Sequence, residues 1–231
     1  GQVKASQERQ LILRDHAEAA LKNDDLATAL NLYRTIDDPD GLNRVAEKLY
    51  NKGEMEEAAQ LLRQEILDVS PNHVRAQLLM GKVLLRQGNP TAALQELEPA
   101  YEVDPVSAQP ALIKALLGLA ETQSQEDRLQ TYERILGIAP DESTALEKKR
   151  TILQNQAETA LKIDDFGTAR NLYKELDDLK GLVDVAEHLY NVGDGHEAEQ
   201  LLRSDVLHSR PDHVRARLLL GKVLLQQNDP A

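Results

Sequence analysis

One long segment of the sequence occurs twice. The thirteen residues HVRAQLLMGKVLL, from His73 to Leu85, return 140 positions later as HVRARLLLGKVLL, from His213 to Leu225. Across residues 17–91, about 44 of the 75 residues are identical to those of the later copy. Self-similarity of this kind marks repeat architectures. A tandem duplication therefore constrains any fold that the chain can adopt.

A shorter period lies inside the duplicated unit, in residues 77–105. An apolar stripe with helical spacing is followed by QGNP, which ends one helix and suits the first turn of the next. A second stripe follows, and Pro105 closes it. This pattern predicts a helix–turn–helix hairpin of roughly 34 residues.

The composition also favours helices. The chain is 41% hydrophobic and 29% charged, which is typical of globular rather than disordered proteins. Aromatic residues make up only 3%, with no Trp and one Phe, so strand-forming side chains are scarce. We therefore predict an all-α fold.

The hairpins resemble the tetratricopeptide repeat family. In the third hairpin, Gly81 stands at the small eighth position, Gly88 at the turn, Ala93 early in the second helix and Pro105 at the end. The same register fits the other hairpins through Ala17, Ala20, Ala29, Tyr33, Ala46, Gly53, Ala58, Leu62, Ala157, Ala169, Tyr173, Ala186, Gly193, Ala198, Leu202 and Gly221. The fourth hairpin departs from it, with Gln123 at the turn and Arg128 where Ala is expected.

The resemblance implies a right-handed α-solenoid of antiparallel helix pairs, with about six and a half repeats. We expect residues 1–231 to form a single solenoid of two tandem four-hairpin units, approximately 1–140 and 141–231, the second truncated. The seventh hairpin has only its first helix, so we expect four apolar residues to lack cover and the chain to self-associate there. These residues are Leu219, Leu220, Val223 and Leu224.

Catalytic and metal-binding signatures are missing from the sequence, so we predict a protein that is not an enzyme and has no cofactor. There is no HExxH, GxSxG or phosphate-binding glycine loop, and without cysteines there is no thiolate metal site. His73 and His213 each follow a helix-breaking Pro, which favours a capping role over metal binding. The acidic pairs at positions 24–25, 37–38, 164–165 and 177–178 lie at hairpin turns, where Asp caps helices.

The net charge of −12 argues against nucleic acid as a partner, because a protein must neutralise phosphates to bind it. The negative charge also argues against binding to anionic membranes. No apolar run approaches the roughly 20 residues that span a bilayer. We expect a soluble chain, cytoplasmic or periplasmic, whose partner is a protein or peptide.

The resemblance also implies that the first helices line a concave groove. Asn there would bind a peptide backbone, and Arg and Lys would pair with carboxylates. Alternatively, Arg75 and Lys82 pair with nearby acidic residues and only keep the groove soluble. The candidate partner-binding residues are Asn43, Glu47, Tyr50, Asn51, Arg75, Leu78, Lys82, Leu85, Arg86, Tyr190, Asn191, Arg215 and Lys222.

Some members of the family use a carboxylate clamp to bind chaperone C-termini. This sequence offers Arg14 for it, but Glu18 and Arg44 stand where Asn is required. A partner of the Hsp70 or Hsp90 type is therefore not supported.

The sequence favours a non-catalytic scaffold that binds a peptide or protein segment in its concave groove. Two alternatives stay open. The chain could be a scaffold segment of a larger bacterial envelope or polymer-export assembly protein, or the substrate-docking arm of an enzyme whose catalytic domain lies elsewhere.

Overall fold

A computed structural model of the chain describes the backbone of residues 2–228 and the side chains of residues 6–227. Helices account for 82% of the chain, and the described residues contain no strand. The predicted all-α fold is therefore confirmed. The chain divides into two compact units, Gly1–Pro140 and Asp141–Ala231.

The first unit consists of four helical hairpins. The helices are α1 (Gln2–Lys22), α2 (Leu26–Thr35), α3 (Pro39–Lys52), α4 (Met55–Leu61, continued by a π-helical segment, Leu62–Leu67), α5 (Val74–Arg86), α6 (Pro90–Val103), α7 (Pro105–Ala120) and α8 (Gln125–Ile138).

The second unit repeats this plan. Its helices are α9 (Ser143–Lys162), α10 (Phe166–Glu175), α11 (Leu179–Asn191), α12 (Gly195–Leu201, continued by a π-helical segment, Leu202–Leu207) and α13 (Val214–Asn228). The duplication therefore preserved even the π-helical ends of α4 and α12.

The acidic pairs shape the turns, as the sequence predicted. Asp24 adopts a left-handed backbone (φ 63°) that ends α1, and the Asp25 carboxylate accepts a hydrogen bond from the Thr28 N–H (3.1 Å) at the start of α2. Hydrogen bonds from the side chain and backbone of Thr28 hold the pKa of Asp25 below its ordinary value. Each of the other three pairs divides the same two tasks between its two residues.

The two recurring histidines are helix caps, which confirms the prediction made from the residues around them. Nδ1 of His73 accepts a hydrogen bond from the Ala76 N–H (3.1 Å) at the start of α5. Nδ1 of His213 does the same for Ala216 (3.2 Å) at the start of α13. This capping role is enough to explain why histidine occurs at both positions.

Glycines beneath large side chains let helices approach closely, both within the third hairpin (α5 and α6) and between the first and second hairpins (α2 and α3). A Cβ on Gly81 of α5 would lie 2.4 Å from Cγ of Leu97 on α6, and one on Gly41 of α3 would lie 2.1 Å from Cδ1 of Tyr33 on α2. Leu97 and Tyr33 are both fully buried. The helices can approach this closely only because glycine has no side chain.

The turn of the fourth hairpin is stabilised in a different way from the others. Lacking the turn glycine, it uses Arg128 of α8, whose guanidinium donates hydrogen bonds to the carbonyls of Ala120 (2.9 Å) and Gln123 (3.1 Å). The Ala120 carbonyl lies at the C-terminal end of α7, where helical carbonyls have no partner within the helix, and the Gln123 carbonyl lies in the turn that follows. The departure from the repeat pattern is therefore a capping device.

Our expectation for α13 was wrong for two of its four residues. Leu219 and Val223 are 6% and 0% exposed, because they belong to the core of the second unit. Leu220 and Leu224 are half-buried. The most exposed apolar side chains among the described residues of the helix are instead Val214, Leu218 and Leu225. A helix turns about 100° per residue, so one apolar stretch faces several directions.

The helices α5 and α13 provide a matched test of the close approach. We expect Gly81→Ala to destabilise the protein by about 1–3 kcal/mol, because the added methyl group overpacks against Leu97. Gly221→Ala, at the equivalent position of α13, has nothing within 4 Å of its Cβ among the described residues. It should stabilise the helix by up to about 1 kcal/mol. Urea denaturation measures both, and equal effects would contradict the packing described.

Candidate functional site

A shallow depression of about 170 Å³ lies between α3 and α5. Asn43 and Glu47 line it from α3, and Arg75, Leu78 and Lys82 line it from α5. Leu79 also contributes, although the sequence did not single it out. The structure thus brings together five of the residues predicted to bind a partner.

Local geometry explains why these side chains meet. Residues three, four or seven apart lie on one face of a helix, so Asn43 and Glu47 share a face of α3 and the three residues from α5 share another. Both are first helices of consecutive hairpins, and α3 packs against α5. The repeat therefore sets two polar helix faces side by side.

Asn43 is the most unusual member of the depression. It is only 8% exposed, and its Oδ1 atom has no hydrogen-bond partner. An unpaired buried polar group typically costs about 1–3 kcal/mol. The equivalent residue of the second unit is Val183, which is fully buried and has no polar side-chain atom that needs a hydrogen bond. At this position, the first unit therefore has an acceptor without a donor and the second unit does not.

The two basic residues of the depression differ in their partners. Arg75 is exposed and forms an ion pair with Asp40 (3.1 Å), as the second interpretation of the groove predicted. Lys82 is half-buried and forms no ion pair with the described side chains. Sequence reasoning missed Asp40, although it occupies in α3 the position that Arg75 occupies in α5.

Tyr50 and Arg86, two further candidates, contact each other. The Arg86 guanidinium lies 4.0 Å from the centroid of the Tyr50 ring, and its Nη1 donates a hydrogen bond to the Tyr50 carbonyl (3.0 Å). Such a cation–π contact contributes about 0.5–1 kcal/mol at an exposed site. Asn51 is exposed and Leu85 half-buried, and neither lines the depression.

The candidates of the second unit have different surroundings. Arg215 donates hydrogen bonds to Asp184 and Glu187, and these bonds, chiefly that to Glu187, raise its pKa. Tyr190 packs against the core of the unit, whereas Asn191 and Lys222 are exposed. The first unit has Arg44 where this unit has Asp184, so the two copies differ in charge beside the same helix.

The positions that a carboxylate clamp would use are engaged in internal ion pairs. Arg14 contacts Asp38 (3.0 Å), and Arg44 contacts Glu18 (3.0 Å). The guanidinium of Arg44 also lies over the Tyr33 ring, 5.3 Å from its centroid. These arginines are thus neutralised by neighbouring carboxylates rather than left free for a ligand.

Two searches bear on other kinds of site. Among the described residues, no group of three or more His, Cys, Asp or Glu side chains is arranged to hold a metal ion. In the same part of the chain, no helix combines the length and the apolar character needed to cross a membrane.

Comparisons with known proteins find similarity to one curated protein and to several solved structures. The DnaJ homolog subfamily C member 7 homolog of Schizosaccharomyces pombe is 26% identical over 172 residues, which cover 66% of this chain and 36% of that protein. MamA of Desulfovibrio magneticus RS-1 aligns at a TM-score of 0.44 and 21% identity over 74% of this chain and 94% of that one. A thermophilic TPR protein of Thermus thermophilus aligns at a TM-score of 0.40 and 18% identity, over 81% of this chain and 99% of that one.

Family models describe the repeats directly. Two models of the tetratricopeptide repeat match residues 49–117 and 184–231, which together make up about half of the chain. These ranges include the helices α5 and α13 that carry the near-identical segment. The chain therefore belongs to the tetratricopeptide repeat family, whose members are typically non-catalytic scaffolds for protein–protein interaction.

Proposed function

We propose that the first unit is a scaffold that binds an acidic peptide or protein segment in the depression between α3 and α5. The observation that carries this proposal is the buried, unpaired Oδ1 of Asn43 in the same depression as Lys82. One group lacks a hydrogen-bond donor and the other lacks an anion, so a peptide with a carboxylate satisfies both.

The chemistry of such a complex follows from the lining. A peptide N–H donates to Oδ1 of Asn43, and a side-chain or terminal carboxylate pairs with the Lys82 ammonium group. Leu78 and Leu79 provide apolar contact on the α5 side. Arg75 is held by Asp40 at an exposed pair, which costs little to break, so it can turn towards a second carboxylate.

The second unit is an internal comparison for this proposal. It has Val183 in place of Asn43 and keeps Lys222 in place of Lys82. Its Arg215 is engaged by two carboxylates rather than one. We therefore assign binding of an acidic peptide to the first unit and not to the second. The two alternatives, a segment of an envelope or polymer-export assembly protein and the substrate-docking arm of an enzyme, stay predictions.

Asn43→Val tests the hydrogen-bonding half of the proposal, because it installs the residue that the second unit already uses. We expect it to weaken a bound acidic peptide about threefold to tenfold, in line with the loss of one hydrogen bond. The free energy of unfolding should hold or rise, because the variant removes a buried unpaired acceptor. Peptides selected on the native chain from a displayed random library supply the probe, and fluorescence polarisation measures their affinity.

Lys82→Glu tests the electrostatic half with the same selected peptides. We expect affinity to fall by about 1.5–3 kcal/mol, and affinity for the native chain to fall as salt rises. Lys48→Glu makes the same charge change at an exposed position of α3 outside the depression and should bind nearly normally. Selected peptides that bind without either an acidic side chain or a terminal carboxylate, or equal losses in the two variants, would contradict the proposal.

We also propose that two copies of the chain associate through α13. Leu218 and Leu225 are 66% and 75% exposed and lie seven residues apart, on one face of the helix. Exposed apolar strips of this kind tend to be interaction surfaces.

Sedimentation velocity over a range of concentrations tests this association. We expect the native chain to self-associate and Leu218→Glu to remain monomeric, because a charge would have to be buried in the contact. Lys222→Glu changes a charge between these leucines on the same helix. It should leave the association nearly unchanged if the contact is apolar. Association that Leu218→Glu leaves unchanged would place the contact elsewhere.

A further inference from the structure

A second opening lies between α4 and α5, on a different side of α5 from the depression described above. This α4/α5 cleft has a volume of about 290 Å³, and Met80 and Leu84 form its floor. These two residues are only 2% and 8% exposed. Met80 lies two residues before Lys82 of the depression, and residues two apart on a helix point about 160° away from each other. The cleft is therefore a separate surface.

The rim of the cleft consists of side chains that form hydrogen bonds. Gln60, Arg63 and Gln64 form it on the α4 side, and Gln87 forms it just beyond the end of α5. All four are exposed. Among the described residues, the only hydrogen bond made by their side chains joins Gln60 to Gln64 (3.3 Å). Donors and acceptors of three amides, together with one guanidinium, are thus available to a ligand.

Arg63 is the charged member of this rim, and it forms no ion pair with the described side chains. Burial raises the pKa of the half-buried Glu96 carboxyl on α6, although the charge of Arg63 acts in the opposite direction. A carboxyl in a close ion pair typically has a lowered pKa instead. Glu96 is therefore not a close partner of Arg63, whose charge is open to another anion.

The second unit has different charges at the equivalent place. Its π-helical segment, Leu202–Leu207, repeats that of the first unit, and Arg203 corresponds to Arg63. Glu199 replaces Ala59 and accepts a hydrogen bond from Nε of Arg203 (2.8 Å). The arginine of the second unit is therefore paired within its own helix, and the arginine of the first has no such partner among the described residues.

The shape and the chemistry of the cleft favour an extended segment of a larger partner. Small-molecule sites bury most of the ligand surface, whereas here only the floor is buried and the rim is exposed. An extended segment has backbone N–H and C=O groups that need partners, and glutamine amides supply them. A docked helix satisfies its own backbone and would leave these amides without partners. The unpaired charge of Arg63 selects an acidic segment.

We propose that the α4/α5 cleft binds an extended acidic segment of a partner protein, in which an Asp or Glu side chain pairs with Arg63. The backbone of the segment beside that residue forms hydrogen bonds with the amides of Gln60, Gln64 and Gln87. A neighbouring apolar side chain rests on the floor of the cleft, where the flexible Met80 adapts to its shape. This site is independent of the one proposed between α3 and α5.

Ala59→Glu tests the proposal, because it installs the residue that the second unit already has beside its arginine. The new carboxylate should pair with Arg63 and lower the affinity for an acidic segment about tenfold. Ala59→Gln is the matched control, since it adds a side chain of the same size without the charge and should bind nearly like the native chain. The fold should persist in both variants, because position 59 is half-buried and its counterpart is Glu199. Circular dichroism checks this.

The probes are random peptides fused at their C-termini to a carrier protein, so that their carboxylates come only from Asp and Glu. Peptides are selected that bind the native chain but not Arg63→Glu, a change at an exposed position. We expect such peptides to contain Asp or Glu, and their affinity to fall as salt rises. Lys82→Glu should bind them like the native chain, which separates the cleft from the depression. Biolayer interferometry measures the affinities.

Three results would overturn the proposal. They are a selection that yields no peptide, selected peptides without Asp or Glu, and equal affinities for Ala59→Glu and Ala59→Gln. The side-chain amide signals in ¹⁵N NMR spectra give an independent reading. Those of Gln60, Gln64 and Gln87 should shift when a selected peptide is added, and that of Asn43 should not. A shift of the Asn43 signal alone would assign the peptide to the depression and would also overturn the proposal.

Discussion

The packing of the helices depends on contacts in which one helix presents almost no side chain. Leu97 rests on Gly81 within the third hairpin, and Tyr33 of the first hairpin rests on Gly41 of the second, at distances that a methyl group would occupy. Close approach lets these helices bury their bulky residues without a gap, and protein interiors tolerate few gaps. Because no hairpin buries both of its faces alone, each one offers the next a surface on which to pack.

This packing rule leaves other positions of the first helices free to vary. The two copies keep the glycines Gly41 and Gly181 beneath Tyr33 and Tyr173. They differ at a buried position nearby, where Asn43 of the first copy corresponds to Val183 of the second. A duplicated scaffold can thus hold one architecture while its two units acquire different binding chemistry, and the unpaired Asn43 acceptor is the clearest case.

Much of the fold could be predicted from the sequence, because helical stripes, turn glycines and capping aspartates are local signals. The face on which α13 is covered could not, since Leu219 and Leu220 are identical in type and differ only in direction. The site was predicted in part for a similar reason. The helix register placed Asn43 and Lys82 on the correct faces. The ion-pair partner of Arg75 could not be predicted, because it depends on the conformations of side chains on two different helices.

Neighbouring helices, rather than local sequence, decide how stable each helix of this protein is. Hydrogen exchange of residues 74–86 and 214–226 measures this directly, because the two segments have nearly the same sequence and therefore nearly the same intrinsic exchange rates. We expect the amides of α5 to be protected close to the global free energy of unfolding and those of α13 to exchange through local opening, much faster. Equal protection in the two segments would mean that local sequence, and not the neighbouring helices, sets their stability.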